Sequence, residues 1–263
     1  MTAEPVLGER PLAPARQLAN KVPEVTVYFW IIKVLTTGMG ETASDLLART
    51  LGPIPAVALG GLALVASLAV QFTLRRYLAW AYWTAVVMVS VFGTMAADVL
   101  HVGLGVPYSV STPAFLVVLA AVFALWYASE QTLSIHTIQT RRREAFYWAA
   151  VLATFALGTA TGDLTATVGF GYLGSVALFA AAICVPALAH HFGVLGAVTA
   201  FWTAYVITRP LGASLADWMA LPHTRGGLAL GLAPVTLAWT VAIIGFVGYL
   251  AVSQRDRSAY AAV

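Results

Sequence analysis

Charge is what this sequence has least of. Asp, Glu, Lys and Arg make up 10% of its 263 residues, against 60% hydrophobic residues and a mean hydropathy of +0.84. A soluble domain carries about 25% charged residues. The shortage excludes a soluble globular protein and points to an integral membrane chain. Cysteine is nearly absent too. The single Cys184, in the apolar run AAICVPAL, excludes an intramolecular disulfide and a thiolate metal cluster, and reads as a small packed hydrophobe. Residues 1–20 lack the apolar core of a signal peptide and read as a disordered cytoplasmic tail. Neither a Walker motif nor a long loop is present, which leaves no place for an ATP-driven pump in this chain. The net charge of +3 is too small, and too scattered over short loops, for a nucleic-acid stripe.

What is abundant is long apolar runs. A helix needs about 20 mostly apolar residues to cross about 30 Å of hydrocarbon. Eight stretches qualify, near 24–46, 53–74, 78–100, 112–130, 145–166, 171–190, 195–219 and 228–250. Basic residues stay cytoplasmic in short loops. Arg10, Arg16, Lys21, Arg75, Arg76, Arg141, Arg142, Arg143, Arg255 and Arg257 fall on one side, and Arg49 and Arg225 on the other. The pattern predicts both termini in the cytoplasm, a plasma (inner) membrane location and a C-terminal tail over 251–263.

The odd-numbered stretches share one pattern. An aromatic–Trp pair is followed by Gly ten residues after the Trp and Asp fifteen after it. The four copies are Phe29-Trp30, Gly40, Asp45; Tyr82-Trp83, Gly93, Asp98; Tyr147-Trp148, Gly158, Asp163; and Phe201-Trp202, Gly212, Asp217. One spacing repeated four times means an internal repeat. The expected fold is all-α, four tandem parallel helical hairpins over 21–250, with repeats near 21–74, 75–130, 144–190 and 195–250. These marked repeats resemble a bacterial family of membrane-anchored proteins, built from four tandem two-span repeats of unknown function, each with a marked tryptophan. The likeness covers residues 21–250, and its most specific stretch is KVPEVTVYFWIIKVLTTGMGETASD, Lys21 to Asp45. It implies an eight-span fold and a transport role with metal ions as the suggested cargo, and it brings no catalytic residues.

At 100° per residue, positions +4, +7, +11 and +15 from each Trp share a face. The stripes read Trp30, Val34, Thr37, Glu41, Asp45; Trp83, Val87, Ser90, Thr94, Asp98; Trp148, Leu152, Phe155, Thr159, Asp163; and Trp202, Val206, Arg209, Ala213, Asp217. Lipid does not tolerate such stripes, so they should face the bundle interior. A charge at membrane depth costs at least about 2.5–3.5 kcal/mol. Five acids, Glu41, Asp45, Asp98, Asp163 and Asp217, lie at that depth against two internal cations, Lys33 and Arg209. Protons, a bound cation or water must meet the deficit. Carboxylates with the Thr37 and Thr94 hydroxyls suit Mn²⁺, Mg²⁺ or Ca²⁺.

The competing reading makes each Asp a cap of its hairpin turn. The tryptophans Trp30, Trp83, Trp148 and Trp202 are expected as interface anchors with wet N–H groups. The glycines should permit close helix approach or local unwinding beside the acid, and Pro210 should kink its helix. His101 stands three residues after Asp98, which makes a shared metal site conceivable. His101, His190, His191 and His223 nonetheless read as interface residues, and Glu130, Gln131 and His136 as the solvated face of a helix projecting into the cytoplasm.

The leading expectation is a cation transporter, in its most specific form a proton-coupled exporter of a divalent metal such as manganese. Its partners are the lipid bilayer, protons and an inorganic cation, without nucleic acid or a resident cofactor, and a homo-oligomer is compatible. A scaffold or sensor with capping Asp residues is the second reading. A membrane-embedded metal-dependent enzyme is the third, disfavoured because no His lies on the stripe.

Overall fold

A computed structural model of the protein describes residues 20–256. The expected N-terminal tail, Asn20 aside, and residues 257–263 of the C-terminal tail lie outside the described residues. Within them every regular element is helical. The α-helices are α1 (Val27–Leu51), α2 (Pro53–Thr73), α3 (Ala79–Asp98), α4 (Tyr108–Glu130), α5 (Arg141–Thr165), α6 (Gly171–His191), α7 (Ala197–Ala220) and α8 (Leu232–Ser253). The segments Pro53–Thr73, Ala79–His101, Tyr108–Glu130, Arg141–His191 and Leu232–Ser253 are long and apolar enough to cross a membrane. The fourth contains both α5 and α6. The two helices outside this set, α1 and α7, carry Lys33, Glu41 and Arg209 on buried faces.

Local chemistry sets the boundaries. Thr26 and Thr140 cap α1 and α5, their hydroxyls accepting from the N–H groups of Phe29 and Arg143. Gly52 alone separates α1 from α2, with Pro53 opening α2, and its φ of +86° needs a residue without Cβ. After Asp98 and Thr165 the chain widens into a π-turn, over Val99–Gly103 and Ala166–Phe170. The chain stays helical through Pro210.

The odd helices form the core. α1, α3, α5 and α7 stand in a closed ring, α1 touching α3 and α7, and α5 touching the same two. Each even helix lies outside, and it packs mainly on the odd helix of the next repeat. α2 sits on α3, α4 on α5, α6 on α7, and α8 returns to α1. The repeats are therefore not self-contained hairpins, as the sequence suggested, but units that each donate a helix forward. The outer helices bury a narrow seam, such as Ala56, Gly60, Leu64 and Gln71 in α2, and expose large apolar side chains such as Leu59, Leu62 and Val65. A helix apolar all round has no aqueous face.

One contact, made four times, closes the ring. The repeat glycine of each odd helix meets the +7 residue of its neighbour. Gly40 faces Ser90, Gly93 faces Phe155, Gly158 faces the Arg209 side chain, and Gly212 faces Thr37; a Cβ at any of the four would overlap its partner. Small residues let helix backbones approach this closely. Ser90 Oγ uses the approach to donate to Thr36 O at 2.8 Å.

The aromatic pairs form the layer at the helix N-terminal end. Phe29, Tyr82, Tyr147, Trp83, Trp148 and Trp202 are all buried, and the hydroxyls of Tyr82 and Tyr147 are hydrogen-bonded to each other. The wet interface expected for the indoles is not found at Trp83, Trp148 and Trp202. Trp83 and Trp148 bury their N–H groups between helices, Trp202 donates to Leu133 O at 2.9 Å, and Trp30 is half-buried. Edge-to-face pairing of adjacent rings favours this interior stack.

Three further expectations are corrected. Cys184 is exposed on the outer face of α6 rather than packed, because that even helix buries only a seam. Glu130 does not lie on a projecting solvated helix. α4 ends there, with Gln131 left-handed after it, and Glu130 clamps Arg142 and Arg143, the latter at 2.8 Å. His101 is not available to Asp98, since its ring nitrogens meet Val106 O at 2.8 Å and Ser111 Oγ at 3.1 Å.

Candidate functional site

The stripe positions of the four odd helices converge on the ring axis. At its centre is Arg209, fully buried, which reaches from α7 to all three other odd helices. Its Nη1 donates to Thr37 O at 2.9 Å. Its Nη2 donates to Glu41 Oε2 at 2.8 Å, to Thr159 Oγ1 at 2.7 Å and to Thr94 Oγ1. Glu41, Thr94 and Thr159 are the +11 residues of α1, α3 and α5, so the register read from the sequence becomes one layer around one guanidinium. Ala213 fills the fourth +11 position with a methyl group. Arginine suits the place because its planar fork serves several acceptors at once.

Towards the aromatic end lies Lys33, also fully buried. Among the described residues its Nζ has no hydrogen-bond partner, and it sits 4.1 Å from the centre of the Phe155 ring and 4.2 Å from that of Tyr205. Two aromatic faces thus enclose the amine. Arg209 forms an ion pair with Glu41. Lys33 meets rings instead, and Arg209 makes no ion pair with Asp217 among the described residues.

Four residues beyond the +11 layer, about 6 Å along each helix at 1.5 Å per residue, are the aspartates. Asp217 is buried, while Asp45, Asp98 and Asp163 are half-buried. Asp98, Asp163 and Asp217 each lie within electrostatic range of Glu41 and Arg209. Among the described residues these three make no ion pair, and Asp45 meets the exposed Arg49 at 3.4 Å.

No backbone N–H donates to any of the four carboxylates among the described residues, and Gly52, Pro107 and Phe170 stand at the starts of α2, α4 and α6. All four aspartates lie at or near the C-terminal ends of helices, where no free N–H groups point. Nor are Glu41, Asp45, Asp98, Asp163 and Asp217 gathered as a metal-ligand set. Among the described residues no three His, Cys, Asp or Glu side chains converge in that way. Glu41 is drawn to Arg209 and Asp45 to Arg49, and the other three stand on three different helices. The Thr37 hydroxyl donates to Val34 O at 2.6 Å.

The sequence model of the family described as Repeat of Unknown Function (DUF347) matches residues 28–77, 81–132, 146–193 and 200–256. Together these exceed half of the chain. The protein belongs to the DUF347 family. Each DUF347 match begins one residue before an aromatic–Trp pair, so the family's unit and the ring's unit share a register. It runs on through the even helix, the one donated to the next repeat. No curated protein and no solved structure matches the chain.

Thr159 and Phe155 are the site residues that sequence reasoning placed on the stripe but did not assign. The +11 alignment with Glu41 and Thr94 carried the signal for Thr159. Nothing local marked Phe155 as a seat for Lys33.

Proposed function

We propose that this protein is a proton-linked cation transporter of the inner membrane, spanning it eight times with both termini cytoplasmic, and that its most specific cargo class is a divalent metal such as Mn²⁺. One observation carries the reading: three ring aspartates, Asp98, Asp163 and Asp217, which make no ion pair among the described residues, one helical turn beyond the buried Arg209–Glu41 pair. Carboxylates so placed hold protons or attract a cation, and a cation that binds them must displace protons, which couples the two. The Arg209 hub then serves as an internal counter-ion that blocks an open pore. Because the acids do not form a ligand set in this state, a divalent cargo requires the odd helices to draw together around it. The eight crossings rest on the eight helices and on the basic loops at the aromatic end.

Proteoliposomes test it. Flux of Mn²⁺, Mg²⁺, Ca²⁺, Zn²⁺ and Co²⁺ is measured with and without an imposed pH gradient, for the parent and for Asp98→Asn and Asp163→Asn. Selective, gradient-dependent flux in the parent and none in the folded variants is the expected result. Full flux in the double variant removes the aspartates from the mechanism.

A further inference from the structure

The residues just before α1 form more contacts than a linker needs. Asn20–Glu24 crosses the aromatic end of the ring and is bonded to the α2–α3 and α4–α5 connections and to the residues that follow α8. Lys21 N donates to Ile138 O at 3.0 Å, Tyr77 N donates to Asn20 O at 3.1 Å, and Glu24 N donates to Asp256 O at 2.9 Å. Lys21, Val22 and Pro23 are buried, and Val22 belongs to the same apolar core as Tyr77, Tyr82 and Trp83. Pro23 biases the residue before it towards extended backbone, so the segment is not simply a further turn of α1.

Lys21 fixes this strap from within. Its Nζ meets Glu144 Oε2 at 2.6 Å and Phe72 O at 3.4 Å, and Gln71 Nε2 closes the set on Glu144 Oε1 at 3.2 Å and Lys21 O at 3.5 Å. A buried ion pair is a weak device for stability, because desolvation offsets much of its attraction. What this one does is connect: Lys21 precedes α1, Gln71 is in α2, and Glu144 opens α5. Any separation of α5 from α1 at this end must break it. Behind the strap lie the bonded pair Tyr82–Tyr147 and the buried Trp83 and Trp148. The opposite end of the axis differs, since Asp45, Asp98 and Asp163 keep partial exposure.

We propose that Lys21–Val22–Pro23 is the movable inner gate of the axis, latched by the Lys21–Glu144–Gln71 cluster. The inference rests on the transport reading, for which it supplies the side that must open. The structure is then the state closed at the aromatic end and accessible at the acid end, and release of the latch is the step that exchanges them.

Thiol labelling tests the gate without reference to any cargo. In a Cys184→Ser background, Val86→Cys places one thiol at a fully buried position of α3, within one turn of Trp83. A membrane-impermeant maleimide is applied to inside-out vesicles. Lys21→Gln should raise the labelling rate about tenfold or more, and Gln71→Leu by a smaller factor. Exchange of the charges, Lys21→Glu with Glu144→Lys, should return it towards the parent rate. Unchanged labelling in folded Lys21→Gln and Gln71→Leu overturns the gate, as does a charge exchange that labels as fast as Lys21→Gln. Metal flux from the same preparations separates the two claims. Flux without altered labelling leaves transport standing and the gate refuted, whereas altered labelling without flux does the reverse.

Discussion

The two ends of the ring treat charge in opposite ways. At the aromatic end the carboxylates are matched: Glu144 has Lys21, and at the rim Glu130 has Arg142 and Arg143, while the buried Lys33 deeper in meets only rings. At the acid end Asp98, Asp163 and Asp217 lie within electrostatic range of Glu41 and Arg209 but make no ion pair among the described residues. Paired charges at connections account for how the helices are tied. Unpaired carboxylates one turn from a buried ion pair have no such structural account, and they are where chemistry should be sought.

Mutations sharpen that contrast in a graded way. The largest effect belongs to the hub. Arg209→Leu strands the buried Glu41 and should destabilise the protein by about 3–5 kcal/mol, read as thermal unfolding in detergent. Adding Glu41→Gln should recover much of the loss, and a double variant as unstable as the single one would mean that the pair does not govern the centre. Next come the ring glycines. Gly158→Ala drives a methyl group into the Arg209 side chain and should cost about 1–3 kcal/mol. Gly248→Ala on the outer α8, with open space around it, should cost nothing. Equal melting of the two variants would deny the ring its tight inner seam.

Smaller still is Tyr147→Phe. It leaves the Tyr82 hydroxyl without its partner in the aromatic layer, a loss of about 1 kcal/mol. The smallest is Arg49→Ala. It removes an exposed i,i+4 pair with Asp45, and the melting temperature should not move measurably. A clear drop would place Arg49 inside the acid layer rather than at its margin.

Much of this was legible in the sequence. The spacing from Trp to Gly to Asp predicted that four helices share a register, and the +11 positions then fell into one layer because four equivalent helices form one ring. The close approach at the glycines was legible for the same reason. What periodicity does not encode is which neighbour a helix chooses. The passage of α2 to α3, and of α8 to α1, follows from seams that read as plain apolar runs. The burial of Trp83 and Trp148 was hidden because a Trp near a helix end looks the same whether it faces lipid headgroups or a ring of other aromatics. The Asp residues resembled turn caps until the helices proved to run to or past them. Lys33 is the plainest case: its partners, Phe155 and Tyr205, come from two other repeats.

The closure of α8 onto α1 has a consequence for the order of the parts. Every repeat lends its second helix to the next, and the last lends to the first, so the ring has no intrinsic beginning. A permuted chain that starts at the second repeat and ends with the first would regenerate the same helix contacts across a new junction. A chain of two such repeats would leave one helix with no host and one host with no helix, and a second copy of itself supplies both. The contact of α8 with α1 is in that sense equivalent to the contacts that join consecutive repeats.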